Sequence, residues 1–256
     1  MIASRQPDDW RALQHDVAQI FDECGFAVDI EKPVTLARGQ ATVDVYAEEN
    51  IRGRTYRIFC ECKRWKSSIP QSVIHGFRTV VADGGANVGY VITSSAFQTG
   101  AFAAADLTNI RLVSWAEFQE DFEKTWIDNH LRQYVTDRLD SLLSYVEPIL
   151  PRAFDDLDDD GKRNYIAVRD RYFDLGALVM LFTTHVTGFF PEIPDLPLRS
   201  RFKPSSEFTV MPTELLDATA YRDFLDVLIP LGERAIAELR VAIGRTEETP
   251  SSPNGT

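Results

Sequence analysis

Asp44 interrupts an apolar run, Thr42-Val43-Asp44-Val45-Tyr46, and Glu61 and Lys63 stand two apart in Cys60-Glu61-Cys62-Lys63-Arg64-Trp65. Side chains alternate along a strand, so Glu61 and Lys63 share one face. If the two strands pair as a hairpin, Asp44 lies beside Glu61. Neighbouring carboxylates repel each other and call for a cation, and hard oxygen ligands favour Mg2+ (or Mn2+). A lysine alongside can orient a water or neutralise growing negative charge. Together these groups form an apparatus for hydrolysing a phosphodiester. The bare spacing fits a surface hairpin with a Glu–Lys pair equally well.

The elements that must position these residues can be read from the pattern. Asp8 or Asp9 caps a helix whose apolar face is Trp10, Leu13, Val17, Ile20, Phe21 and Cys24, and Gly25 ends it. Strands are predicted over 26–30, 41–47 and 56–62, with Val43 and Val45 on one face and Asp44 on the other. A turn at 50–54 joins the last two strands. A helix opens after Pro70 and stops at Gly84-Gly85. Strand 88–93, helix 101–106 and strand 110–113 follow. This order predicts an α/β fold with a mixed sheet flanked by helices, because the early strands are joined by short turns. From about Trp115 the strand patterns stop. Helical spacing runs over 131–146, from Lys162 into 175–186, and over 218–243, where Pro230 marks a kink or break. The expected organisation is an α/β domain over 1–125, an all-α region over 126–245, and a disordered Ser/Pro/Gly-rich tail over 246–256.

The order of these elements resembles the PD-(D/E)xK nuclease superfamily, specifically the Mrr-like restriction endonuclease domain. The resemblance covers residues 8–122. It rests on Asp22-Glu23-Cys24-Gly25-Phe26, Val43-Asp44-Val45 and Glu61-Cys62-Lys63-Arg64-Trp65. Gly89-Tyr90-Val91-Ile92-Thr93-Ser94-Ser95-Ala96-Phe97 and Ile110-Arg111-Leu112-Val113 also carry it. The resemblance implies that Asp44 and Glu61 hold a divalent metal, joined by the Cys62 backbone carbonyl, and that Lys63 supports the attacking water. Family members often place a Glu on the first helix; here the position is Gln14, which puts a second metal in doubt. The implied activity is metal-dependent DNA endonuclease action in restriction or anti-phage defence. The rival is a catalytically degenerate module that binds nucleic acid or assembles proteins through its helical half.

Arg38, Arg64, Lys66 and Arg78 are candidate phosphate contacts, and Trp65 can stack on a base or sugar. Thr93, Ser94 and Ser95 precede a helix and can cap it or bind a phosphate there. Gln71 is an accessory candidate beside the active-site strand. The run Asp155–Gly161 copies the start of a calcium loop, but Ala167 stands where a bidentate Glu is needed, so helix-end charge suffices as its explanation.

The 256 residues carry a net charge of 27 − 39 = −12, which argues against a broad basic surface coating nucleic acid. Residues 1–125 hold 13 basic and 17 acidic residues, and residues 126–256 hold 14 and 22. The first half is therefore the better candidate to meet DNA, with duplex the expected substrate. Asp16, Asp22 and Glu23 on the first helix add to the acids expected near the cation. The helical half is the candidate surface for a homodimer or a defence-system partner. Cys24, Cys60 and Cys62 make neither a disulfide framework nor a zinc site, which points to a reducing cytoplasm. No signal-peptide core or membrane span is predicted.

Overall fold

The computed structural model describes residues 1–202 and 210–244, so the expected tail over 246–256 lies outside the described residues. The chain divides into two compact units, Met1–His130 and a second beginning at Leu131.

The first unit opens with α1 (Trp10–Glu23), capped by the Asp9 side chain, which accepts from the Ala12 amide at 2.8 Å. Three strands follow: β1 (Ala27–Leu36), β2 (Gly39–Ile51) and β3 (Arg54–Lys63). Next come α2 (Gln71–Asp83), β4 (Val88–Thr93), α3 (Thr99–Ala105), β5 (Ile110–Ser114) and α4 (Trp115–Trp126). The sheet order is β1-β2-β3-β4-β5. Antiparallel pairs join β1–β2–β3, and parallel pairs join β3–β4–β5. The mixed sheet flanked by helices is the restriction-endonuclease-like arrangement expected.

Several elements differ from their predicted bounds. Strand β1 runs six residues past Ile30, through Pro33, which pairs with Thr42. Proline is tolerated there because β1 is an edge strand. Arg52 (φ 49) and Gly53 (φ 78) form the two-residue β2–β3 turn, and both left-handed residues match the strand twist. Trp10, assigned to the buried face of α1, is 44% exposed.

The two faces of the sheet bury different sets. Tyr90 of β4 meets Phe118 and Phe122 of α4, which also pack edge-on against Phe21 of α1. The next residue, Val91, points the other way, into a core with Phe59, Ile110, Ile74, Phe77 and Val81. Gly89 lets α2 approach the sheet: a Cβ there would sit 2.6 Å from Val81 Cγ2 and 2.9 Å from Phe77 Cε1. Gly89→Ala must push helix and strand apart. The expected cost is about 1–3 kcal/mol, the range for overpacked cores. Circular dichroism melts should show the midpoint fall by several degrees; an unchanged midpoint would contradict this packing.

The second unit contains α5 (Arg132–Val146), α6 (Asp159–Leu181), α7 (Thr213–Asp217) and α8 (Tyr221–Ala242), with no strand among the described residues. Helices α5, α6 and α8 pack on one another. Gly232 of α8 rides over Leu139 of α5, 2.6 Å from Cδ2 to where a Cβ would be. The Asp158 side chain caps α6 by accepting from Gly161 N at 2.7 Å, and Asp159 and Asp160 fill its first turn. The acidic run therefore serves a helix start, as electrostatics at that end favours. Pro230 neither breaks nor ends α8. It lies on the exposed side, where water can satisfy the freed carbonyl. No helix among the described residues is long and apolar enough to cross a membrane.

Candidate active site

Strand β3 positions Glu61 and Lys63 on one face, and they form an ion pair. Both are partly enclosed, with side chains 23% and 20% exposed. The intervening Cys62 is buried on the opposite side with Cys60, as alternation requires. Burial pushes both thiols far above their ordinary range, and pushes Cys24 up to about 12. These cysteines are core residues and remain protonated at neutral pH.

Asp44 joins them through a local departure from regular strand geometry. The β2–β3 ladder ends at Val45 and Cys60. One residue further, the Asp44 side chain takes the place of a backbone acceptor: its Oδ2 accepts from the Cys62 amide at 2.7 Å. Its second carboxylate oxygen has no hydrogen-bond partner among the described residues. On the β1 side, pairing skips Asp44 as well, where Glu31 has φ 52. Alternation shifts at this point. Val43 and Tyr46 are three residues apart yet belong to the same core under α2, so the simple expectation of Val43 and Val45 against Asp44 does not hold.

Strand β3 keeps its β4 partner to the end, with Lys63 opposite Thr93. Its β2 edge is released at the same level. The parted strands leave an open cleft of about 360 Å³, lined by Glu61, Lys63 and Trp65, by Thr42 and Val43 of β2, and by one side of α2. Burial, then the nearby Asp44 charge, raises the Glu61 carboxyl above its usual range, and Lys63 opposes the rise. The Asp44 charge therefore acts on Glu61, the neighbour that the sequence spacing suggested for it.

The other expected residues divide. Trp65 is 42% exposed and stands on the cleft wall, with the Lys63 ammonium 5.8 Å from its ring centre. Lys66 and Arg78 are exposed, off the cleft lining. Arg64 is exposed, and its guanidinium donates to Pro7 O at 2.7 Å and to Ser94 Oγ at 3.4 Å. Arg38 is held by both oxygens of Asp83 at the far end of α2, which lowers that carboxyl from its ordinary value. Gln14 is buried in α1 and does not line the cleft. Gln71 begins α2 and lies over Gly100 rather than in the cleft.

Thr93 is corrected: it is fully buried, and its hydroxyl donates to the Lys63 carbonyl at 2.8 Å, so it pins the strand and cannot meet a substrate. Ser94 and Ser95 do not start a helix, because α3 begins at Thr99. Ser95 Oγ instead donates to Ser67 O at 3.0 Å. The acids of α1 do not extend the carboxylate pair either. Glu23 accepts from Trp126 Nε1 and lies 3.8 Å from His130. No group of three or more His, Cys, Asp or Glu side chains with metal-binding geometry occurs among the described residues. The α2 wall of the cleft (Ser72, Val73, Gly76, Phe77, Val80) escaped the sequence reading; its one signal was a glycine inside a helical pattern.

This sheet, with an Asp and a Glu-x-Lys pair where its strands part, defines a restriction-endonuclease-like domain. Residues 8–121 match the Mrr catalytic-domain family model, described as a restriction endonuclease, consistent with an Mrr-like nuclease domain over that part of the chain. No curated protein matches the chain. One solved structure, titled "Crystal Structure of Protein of Unknown Function AF1548", is similar at 18% identity and a TM-score of 0.38. That similarity covers 52% of this chain and 78% of the other.

Proposed function

We propose that the domain is a metal-dependent DNA endonuclease acting in restriction or anti-phage defence in a reducing cytoplasm. The observation that supports this reading is the Asp44 carboxylate on the Cys62 amide, the residue between the paired Glu61 and Lys63, where β2 and β3 separate. The donor set fits Mg2+ (or Mn2+): two hard carboxylates, with the Cys62 carbonyl as a third oxygen, suit an ion that keeps several waters. Burial first, and then the Asp44 charge, raises the Glu61 carboxyl, and a cation held there would offset both. When bound, the ion supplies Lewis-acid polarisation of the phosphate and makes water more acidic.

The chain's own groups do the rest. Asp44 and Glu61 fix the reacting phosphate's position through the site they form. The Lys63 ammonium steadies the charge that grows on the phosphate oxygens and holds the attacking water by hydrogen bonding. Thr93 fixes the Lys63 backbone through the carbonyl it bonds. The acidic helical unit from Leu131 we assign to assembly, as a homodimer or with a defence partner, leaving the first unit to meet duplex DNA.

Supercoiled plasmid incubated with the full chain and Mg2+ or Mn2+ should be nicked or linearised, and a chelator should stop the reaction. Intact plasmid with either metal, across DNA and RNA substrates, would contradict the enzyme reading.

A further inference from the structure

The cleft that holds Glu61 and Lys63 is too apolar to be a track for phosphates. Those two are its only charged lining residues among the described residues. Its walls are Val43, Val73, Phe77, Val80 and the half-exposed ring of Trp65. A nucleic-acid backbone carries a charge at every nucleotide and draws binding energy from Lys and Arg, which these walls lack. A nucleobase has the opposite needs: apolar faces to stack on and a few polar groups at the rim. The volume, about 360 Å³, lies within the ~300–1,000 Å³ range of small-molecule sites.

Gly76 adds an independent observation. It stands inside α2, where glycine is the poorest ordinary choice. Unlike Gly89, it is not required by packing: nothing lies within 4 Å of where its Cβ would be. Its backbone is ordinary helix, so no left-handed conformation calls for it either. It lines the cleft beside the carboxylate–lysine pair. The missing side chain leaves room for a bound group.

We propose that this cleft receives an unstacked nucleobase next to the scissile phosphate, seated between Trp65 and the Val73–Gly76–Val80 side of α2. The inference rests on the nuclease reading and narrows its substrate. The strand cut must present a base free of its stack, in single-stranded or locally unpaired DNA or by extrusion from a duplex.

Binding isolates this from catalysis. The full chain is titrated, without divalent metal, into a labelled oligothymidylate and into an abasic oligomer of the same length and charge. Fluorescence anisotropy should show the base-bearing strand bound about tenfold more tightly or better, the scale of a lost base–aromatic contact. Gly76→Leu, which fills the open space and favours the helix, should abolish that difference while keeping or raising the melting midpoint. Trp65→Ala should weaken oligothymidylate binding and spare the abasic strand. Equal affinity of the wild type for both strands would overturn the proposal. So would a Gly76→Leu protein, folded, that retains the full preference. Absence of cleavage of plasmid, single-stranded DNA and RNA alike, with the base preference intact, would defeat the nuclease reading and leave the base site standing.

Discussion

Lys63→Ala should lower cleavage by about 10²–10³-fold, or about 3–4 kcal/mol of transition-state stabilisation. Lys63 is the only cationic side chain on the cleft lining among the described residues, so no neighbour there replaces it. Its exposure of 20% places the ammonium where water screens it only partly. The loss should fall on kcat more than on KM, because charge on the phosphate grows towards the transition state. Removing Lys63 also removes the group that opposes the upward shift of Glu61. A raised carboxylate takes up its proton at higher pH than an ordinary one. Wild-type cleavage should therefore fail on the acid side sooner than for an unperturbed Glu, and the residual activity of Lys63→Ala should fail sooner still. For folding the sign is reversed. The ionised form of Glu61 is disfavoured in the fold, so its contribution is present at low pH and is lost as pH rises through the folded pKa. A pH–rate profile with a parallel pH–melting profile measures both.

Asp44→Asn should reduce cleavage as severely and leave the fold intact. The Asp44 carboxylate has two jobs that asparagine separates. One oxygen accepts the Cys62 amide at 2.7 Å and closes the ladder where β2 and β3 part. The Asn carbonyl can accept the same hydrogen bond. The negative charge cannot be replaced, so the cation loses one of its two carboxylates. Asp44→Ala removes both functions and leaves the Cys62 amide without its partner, an additional cost of about 1–3 kcal/mol in stability. Isothermal titration with Mn2+ should show both variants impaired in binding, whereas melting should separate them, alanine well below asparagine. Equal melting points would mean that the hydrogen bond at Cys62 carries no weight. Wild-type Mn2+ affinity in Asp44→Asn would remove Asp44 from the site.

The order of elements in the first unit was legible because hydrophobic periodicity changes from helical to alternating at Gly25 and back at Pro70. The bounds of β4, Val88–Thr93, were read as they stand, since a short apolar run between Gly85 and Ser94 has little choice. Strand β1 is predicted only to Ile30; pairing with β2 carries it through Glu31-Lys32-Pro33 to Leu36 against their low local strand preference. Helix α4 was not set out, although Ser114 and Glu117 form a reciprocal capping box that signals its start. The Glu-x-Lys half of the candidate site followed from strand alternation alone. Pairing of the two strands as a hairpin put Asp44 near Glu61, but its bond to the Cys62 amide was not legible, because it lies where regular pairing lapses on both sides of β2. The role of Thr93 was misread for a related reason: a hydroxyl at a strand end can turn inward to a backbone carbonyl as readily as outward to a ligand. The α2 wall of the cleft is a tertiary property, set by where Gly89 lets the helix approach the sheet.

A crystal of the full chain soaked in Mn2+, with data collected at the manganese absorption edge, tests the central claim most directly. The account predicts one anomalous peak in the first unit, bound by the carboxylates of Asp44 and Glu61 and the carbonyl of Cys62. It also predicts that Asp44→Asn loses the peak under the same soak. No peak there, with Lys63 still paired to Glu61 and plasmid left intact in solution, would contradict it and identify the domain as a nuclease fold retained for binding or assembly.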